Sequence, residues 1–407
     1  MPSTDRSAPA RDRHYASLKW RLAFTASLAF AAAAGTLMQF VLGALGPFLV
    51  EDLGLSRAQL GTLTTLFFAL GALCSTPAGG LVDRVGGDRV LVAYFGLVGC
   101  AMVGLAAAPS LPWLWLAVSV SGIAHAAMNP ATNDLIATQV PPGRQAVITG
   151  VKQSGVQVGA FLAGALLPPI AVILGWRSTV ALAGVVIFAG VFGRLLVRKP
   201  SRRAPATSGQ EPTGRRPLSS LARWLTVYAL LMGFGYSSVI AYLPLYGYDA
   251  LGMTAAAAGM LTGVLGFVGI GGRIALARIS ELRGRADGIL TAVALAAAVA
   301  QIAVLVAPVV GTWSLWAAAV GLGLTAASWH AVGMLAVIRE TRGVSTGRDT
   351  GIVHAGFLVG LMTSPVVLGW SVDRTGTYVI TWGAVAVAFA LAAVLSWAWR
   401  RSCAAGA

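Results

Sequence analysis

Gly79-Gly80-Leu81-Val82-Asp83-Arg84-Val85-Gly86-Gly87-Asp88-Arg89 is a short hydrophilic turn between two long apolar runs. A weaker copy stands later in the chain as Ala277-Arg278-Ile279-Ser280-Glu281-Leu282-Arg283-Gly284-Arg285. The two are related by an offset of 198, which sets Asp83 on Glu281 and Gly86 on Gly284. The same register extends outward, with Gly35 on Gly233, Gly54 on Gly252, Gly61 on Gly259 and Gly71 on Gly269. Further on the offset becomes 201: Trp115 meets Trp316, Gly122 meets Gly323, and Gly150, Gly155 and Gly159 meet Gly351, Gly356 and Gly360. The chain is one unit written twice, head to tail.

Composition says what kind of unit. The 407 residues are 57% hydrophobic and only 11% charged, outside the usual soluble range. A helix needs about 20 apolar residues to cross the hydrocarbon. Segments of that kind fall at 22–50, 59–82, 89–108, 112–138, 145–174, 177–197, 221–248, 254–280, 286–308, 313–338, 347–371 and 376–399. The expected architecture is therefore an all-α membrane protein of twelve spans, arranged as two six-helix bundles related by a pseudo-twofold repeat. The divisions are a tail at 1–21, a bundle at 22–197, a linker at 198–220, a bundle at 221–399 and a tail at 400–407. The linker combines Arg198, Lys199, Arg202, Arg203, Arg215 and Arg216 with Pro200, Pro205, Pro212 and Pro217, a polar and flexible composition. Parallel repeats of this sort mark transporters whose cargo site lies between the copies near the bilayer midplane.

Lys and Arg collect on the cytoplasmic side of membrane proteins. With the N-terminus inside, all 29 basic residues except Arg57, Lys152, Arg177, Arg273 and Arg374 fall in cytosolic segments or at the cytosolic ends of spans. Both termini are then expected to be cytoplasmic in a multi-pass protein of the bacterial plasma membrane. The net charge of +15 is explained by this topology and the anionic inner leaflet, with no folded basic domain to suggest nucleic acid. The basic N-terminal stretch precedes an apolar run too long for a signal core, which reads as an uncleaved first span. Cys74, Cys100 and Cys403 form neither a disulfide framework nor a metal site, and no cofactor is expected.

The 79–89 loop resembles the loop signature of the major facilitator superfamily. Small residues let span ends approach closely, and Asp83 can cap the positive N-terminus of a helix in the other half. Arg84 and Arg89 anchor the turn at the inner leaflet, around Gly86. The resemblance implies that Asp83 meets the start of span 11 near Gly347 when the cytoplasmic side is closed, and that Glu281 does the same for span 5. Gly150-Val151-Lys152-Gln153-Ser154-Gly155, Pro168-Pro169, Gly175-Trp176-Arg177 and Gly369-Trp370-Ser371-Val372-Asp373-Arg374-Thr375-Gly376 look like bacterial cyanate-type and organic-acid porters of that superfamily.

An ionised group mid-span costs about 2.5–3.5 kcal/mol on insertion scales and is a functional candidate by default. Counted from the nearest boundary at about 1.5 Å per residue, Lys152, Arg273, His330 and His354 lie at depths of roughly 10, 12, 13 and 9 Å. The four thus share one layer on four spans. Across the repeat they face Val353, Ser75, Asn129 and Gln153, so symmetry does not demand their charge. Asp134, a carboxylate inside span 4, is expected to pair with Arg144 or join the gate. A net-positive interior calls for a counter-charge, which an anionic solute supplies. Gln39, Asn129, Asn133, Gln153, Gln157, Trp329, Tyr236, Tyr242 and Tyr246 are candidate lining, while His125 is left outside. The bland readings are a snorkelling Lys152, a structural Arg273 and histidines that only bridge spans.

The expected function is secondary transport of a small anion, an organic acid or cyanate-like species, by rocker-switch alternating access in a monomer. Coupling to protons would run through His330, His354 or Asp134, with a uniporter or an exchanger as the alternatives. Proton-driven drug efflux is the alternative, weakened because residues 113–133 contain no Arg and span 1 no acid. A non-transporting sensor lacks the extra soluble domain it would need. An enzyme is excluded because no nucleophile–base spacing appears.

Overall fold

The computed structural model describes residues 18–197, 219–283, 287–341 and 346–405, and every regular element among them is a helix. Hydrocarbon offers no hydrogen-bond partners, so an apolar chain of this composition closes its backbone bonds within helices. The spans are Leu18–Ala44 with its continuation Gly46–Leu53 (span 1), the bent pair Arg57–Leu73 and Ser75–Val85 (span 2), Gly87–Ala106 (3), Leu111–Gln139 (4), Gln145–Leu174 (5) and Trp176–Val197 (6). The second copy comprises Ser220–Leu251 (span 7), Ala255–Arg283 (8), Asp287–Leu305 (9), the pair Trp313–Leu324 and Trp329–Thr341 (10), Thr346–Thr375 (11) and Val379–Ala405 (12). Counting the bent pair as one, twelve helices are long and apolar enough to cross a bilayer. Most of the expected tail 1–21 and linker 198–220, and the side chain of Glu281, lie outside the described residues.

Two spans depart from the continuous helices expected. Span 2 bends by 49° at Cys74. Pro77 lacks the N–H that would bond the Leu73 carbonyl, and its ring crowds that group. Span 10 opens at Thr325–Ser328 with no proline. There Thr325 Oγ1 donates to Gly321 O at 2.6 Å and Ser328 Oγ to Gly323 O at 2.9 Å, occupying carbonyls that backbone N–H groups would otherwise take. The repeat counterpart of this break, in span 4, stays helical.

The copies meet along two equivalent seams. In one, Gly61 of span 2 lies against Pro365 of span 11. In the other, its repeat mate Gly259 of span 8 lies against Pro168 of span 5. A methyl group at either glycine would overlap the facing chain, so the small residue sets how closely the halves approach. Matched glycines inside the halves do the same work: Gly155 packs on Ala29 of span 1 and Gly356 on Thr226 of span 7.

Candidate functional site

A cavity of about 120 Å³ lies between the halves, lined from both of them. Spans 1, 2, 4 and 5 contribute Thr36, Gln39, Phe68, His125, Asn129 and Gln153. Spans 7, 8, 10 and 11 contribute Tyr236, Arg273, Trp329, His330, His354 and Phe357. Among the described residues, no Asp or Glu lines it.

Arg273 sits where span 8 passes the opened turn of span 10. Its Nε donates to Ala327 O, a carbonyl of that turn, at 3.1 Å, and its Nη1 reaches across the seam to Gln153 O at 3.3 Å. These bonds to neutral carbonyls orient the guanidinium without neutralising it. Around it stand buried polar atoms with no hydrogen-bond partner among the described residues: Tyr236 hydroxyl, Trp329 Nε1 and His330 Nδ1. An indole N–H can only donate, a phenol donates readily, and each such group left unpaired costs about 1–3 kcal/mol. The second segment of span 10 begins at Trp329, so its positive N-terminal end adds to the same region. His330 and His354 lie ring to ring at 5.7 Å.

Lys152 does not join this ring, because its charge is used behind the wall. It is fully buried, and its ammonium donates to Asn129 Oδ1 at 3.2 Å, Thr132 Oγ1 at 3.3 Å and Asn133 Oδ1 at 2.8 Å. An ammonium has three N–H donors, and these acceptors match that number. Of the partners, Asn129 also lines the cavity. The shared depth seen in the sequence is compatible with this: depth along the membrane does not fix which way a side chain points.

His125, set aside in the sequence reading, does line the cavity, with Nδ1 2.8 Å from Gly35 O. The available signal was its spacing of four residues from Asn129 on a continuous helix, which places both on one face. Tyr242 and Tyr246 lie elsewhere. The Tyr242 hydroxyl bonds Arg57 O and Pro365 O on the 2–11 seam, and Tyr246 lines a separate pocket near Arg57. Gln157 is buried at the 5–8 seam against Gly269.

The two ends of the molecule differ sharply. At the end opposite the 79–89 loop, the halves are bolted together. Asp373 Oδ1 and Oδ2 accept from the backbone N–H groups of Arg57 and Ala58 at 2.9 and 2.8 Å, capping the N-terminus of span 2 from span 11. The Arg57 guanidinium pairs with Asp249 of span 7 at 2.7 Å, and the Tyr378 hydroxyl donates to the same carboxylate at 2.7 Å. Burial first, and the Asp249 charge second, push the Tyr378 hydroxyl's pKa upward, so it remains a donor.

At the loop end, three contacts tie the loop to its own half. Gly87 N–H donates to Asp134 Oδ2 at 2.9 Å. Asp88 pairs with the fully buried Arg194 of span 6 and accepts from Gln139 Nε2 at 3.0 Å. Gly86, at φ +91°, permits the sharp reversal between them. Asp83, Arg84, Arg89 and Arg144 are exposed, and Asp83 makes no hydrogen bond or ion pair among the described residues. Arg194 was invisible as a partner because nothing in the sequence distinguishes it from the basic residues that flank other spans.

The family model of the Major Facilitator Superfamily matches residues 28–347, and the chain belongs to that family of membrane transporters. Among curated relatives, the Hexuronate transporter of Bacillus subtilis (strain 168) is 26% identical over 357 residues, covering 82% of this chain and 83% of its own. The "Probable sulfoacetate transporter SauU" of Cupriavidus necator is 24% identical over 370 residues, with 82% and 83% covered. Among solved structures, a bacterial homologue of the human lysosomal transporter Spinster, in an inward-facing and occupied conformation, superposes with a TM-score of 0.76. It is 18% identical, and the match covers 95% of this chain and 98% of that one.

Proposed function

We propose that this chain is a secondary transporter of a small organic anion, working by rocker-switch alternating access as a monomer in the bacterial plasma membrane. The observation that carries this reading is Arg273: a guanidinium facing a cavity where, among the described residues, no carboxylate stands and the surrounding donors are unpartnered. An anion supplies both the missing charge and the missing acceptors. The hexuronate and sulfoacetate named for the relatives are anions too, which supports the class without fixing the member.

In this reading the 79–89 loop and both termini face the cytoplasm, as the distribution of Lys and Arg requires. The bolted end around Asp373 is then external, and the conformation is open inward. In the outward-open state, Asp83 docks on the start of span 11 and Glu281 on span 5, while the Asp373 cap releases. His330 and His354 beside the anion site are the proton-coupling candidates. Asp134 holds the loop through Gly87 and lies outside the cavity lining.

The test is a thermal-shift screen of the purified carrier against small carboxylates, cyanate and hydrophobic cations, with hits followed by counterflow in liposomes. Stabilisation and flux by carboxylates that vanish in Arg273→Gln support the reading. Hits confined to hydrophobic cations overturn it in favour of drug efflux.

A further inference from the structure

The cavity has two unlike faces, and their chemistry narrows the anion. On the first-half face, several polar groups are already committed. Asn129 Oδ1 accepts from Lys152, His125 Nδ1 is at Gly35 O, and Thr36 Oγ1 donates to Ala32 O at 3.0 Å. Left on that face are the amide groups of Gln39, Asn129 and Gln153, while every buried hydroxyl of a polyhydroxylated solute would need its own partner. The second-half face is built from rings. Trp329 lies 5.5 Å from Phe357, and His330 lies 5.3 Å from Trp329 and 5.6 Å from Phe357, all in edge or tilted arrangements. Phe68 closes the cavity from span 2. Arg273 and the unpaired Trp329 and Tyr236 donors sit beside this ring cluster.

Size points the same way. The volume is about 120 Å³, and dry protein cavities of roughly 150 Å³ admit benzene. Being somewhat smaller, this space takes at most one ring, and a ring with its carboxylate requires the halves to part slightly.

Resting on the reading of this cavity as an anion site, we propose that it selects a carboxylic acid carried on a single aromatic ring. The carboxylate sits on Arg273 with Tyr236 and Trp329 donating to it, and the ring sits among Phe357, Trp329 and Phe68. The edge-to-face packing already present among the side chains extends to the solute, whose ring edges and faces meet those of the wall.

The experiment titrates the full-length purified carrier with benzoate, cyclohexanecarboxylate and glucuronate. Cyclohexanecarboxylate keeps the charge and approximate size of benzoate but lacks the π system, and glucuronate keeps the charge but adds hydroxyls. Benzoate is expected to bind about 3- to 10-fold tighter than cyclohexanecarboxylate, the span of a ring–ring contribution, and glucuronate weaker than both. Phe357→Leu erases the difference between the two ring acids. Equal or tighter binding of cyclohexanecarboxylate or glucuronate by the wild-type carrier, with Arg273→Gln abolishing it, overturns the aromatic assignment alone. Binding of all three acids that is indifferent to Arg273→Gln, or no binding of any, overturns the anion site and the aromatic assignment together. The wild-type comparison stands even if either variant fails to fold.

Discussion

The two halves of this carrier each bury a cation at a similar expected depth, and they handle it in opposite ways. In the first half, Lys152 has an oxygen acceptor for each of its ammonium hydrogens and is sealed from the cavity. In the second, Arg273 is steadied by two backbone carbonyls and faces the cavity beside donors that have no protein partner. A buried charge therefore does not by itself mark a substrate site. What separates the two is whether the protein has already met the charge's hydrogen-bonding demand.

The backbone explains how the halves diverge. The opened turn of span 10 exposes the Ala327 carbonyl that holds Arg273, and it starts a new helical segment at Trp329. In the first half the corresponding stretch of span 4 is unbroken, and Ser75 stands at the position equivalent to Arg273. The break in that half lies in span 2, at Cys74. Repetition supplies the frame, and departures from it supply the site.

The largest effect is expected from Arg273→Gln. Losing one partner of a buried charge pair costs about 2–5 kcal/mol, so anion uptake into liposomes should fall by roughly 30-fold or more, with monodisperse protein as the control. Retained uptake would remove the distinction between the halves. Next in size is Asp373→Asn at the bolted end. A carboxylate at a helix N-terminus contributes about 0.3–2 kcal/mol, so the variant should favour separation of that end by up to roughly 30-fold. Spin-label distances between spans 2 and 11 would record the opening, and an unchanged distribution would count against the latch. Lys152→Met should change the KM for uptake by less than about 3-fold, a difference below ~1 kcal/mol, while lowering the melting temperature. A selective loss of transport would return Lys152 to the substrate ring. The smallest effect sharpens the gate assignment: Asp83→Asn should slow turnover with substrate affinity unchanged, measured by flux and binding on the same preparation.

Much of this fold was legible in the sequence because lipid imposes length and apolarity on every span, and the repeat lets each half check the other. The glycines matched across the repeat occupy matched close contacts, Gly61 with Gly259 and Gly155 with Gly356. The site was less legible. Sequence gives depth along a span but not rotation about it, so Lys152 and Arg273 looked alike and His125 looked isolated. The break at Thr325–Ser328 carries no proline to announce it, since hydroxyl-to-carbonyl bonds open the turn. The Asp88–Arg194 pair joins residues far apart in the chain, and only packing of span 6 on span 3 brings them together.

The second half's cation binds the solute and the first half's does not. One calorimetric series tests it most directly: the same carboxylate, taken from the thermal-shift screen, titrated into wild-type carrier, Arg273→Gln and Lys152→Met. Binding should weaken by about 30-fold or more in the first variant and by less than about 3-fold in the second. Equal losses in both variants, or a loss confined to Lys152→Met, would contradict it.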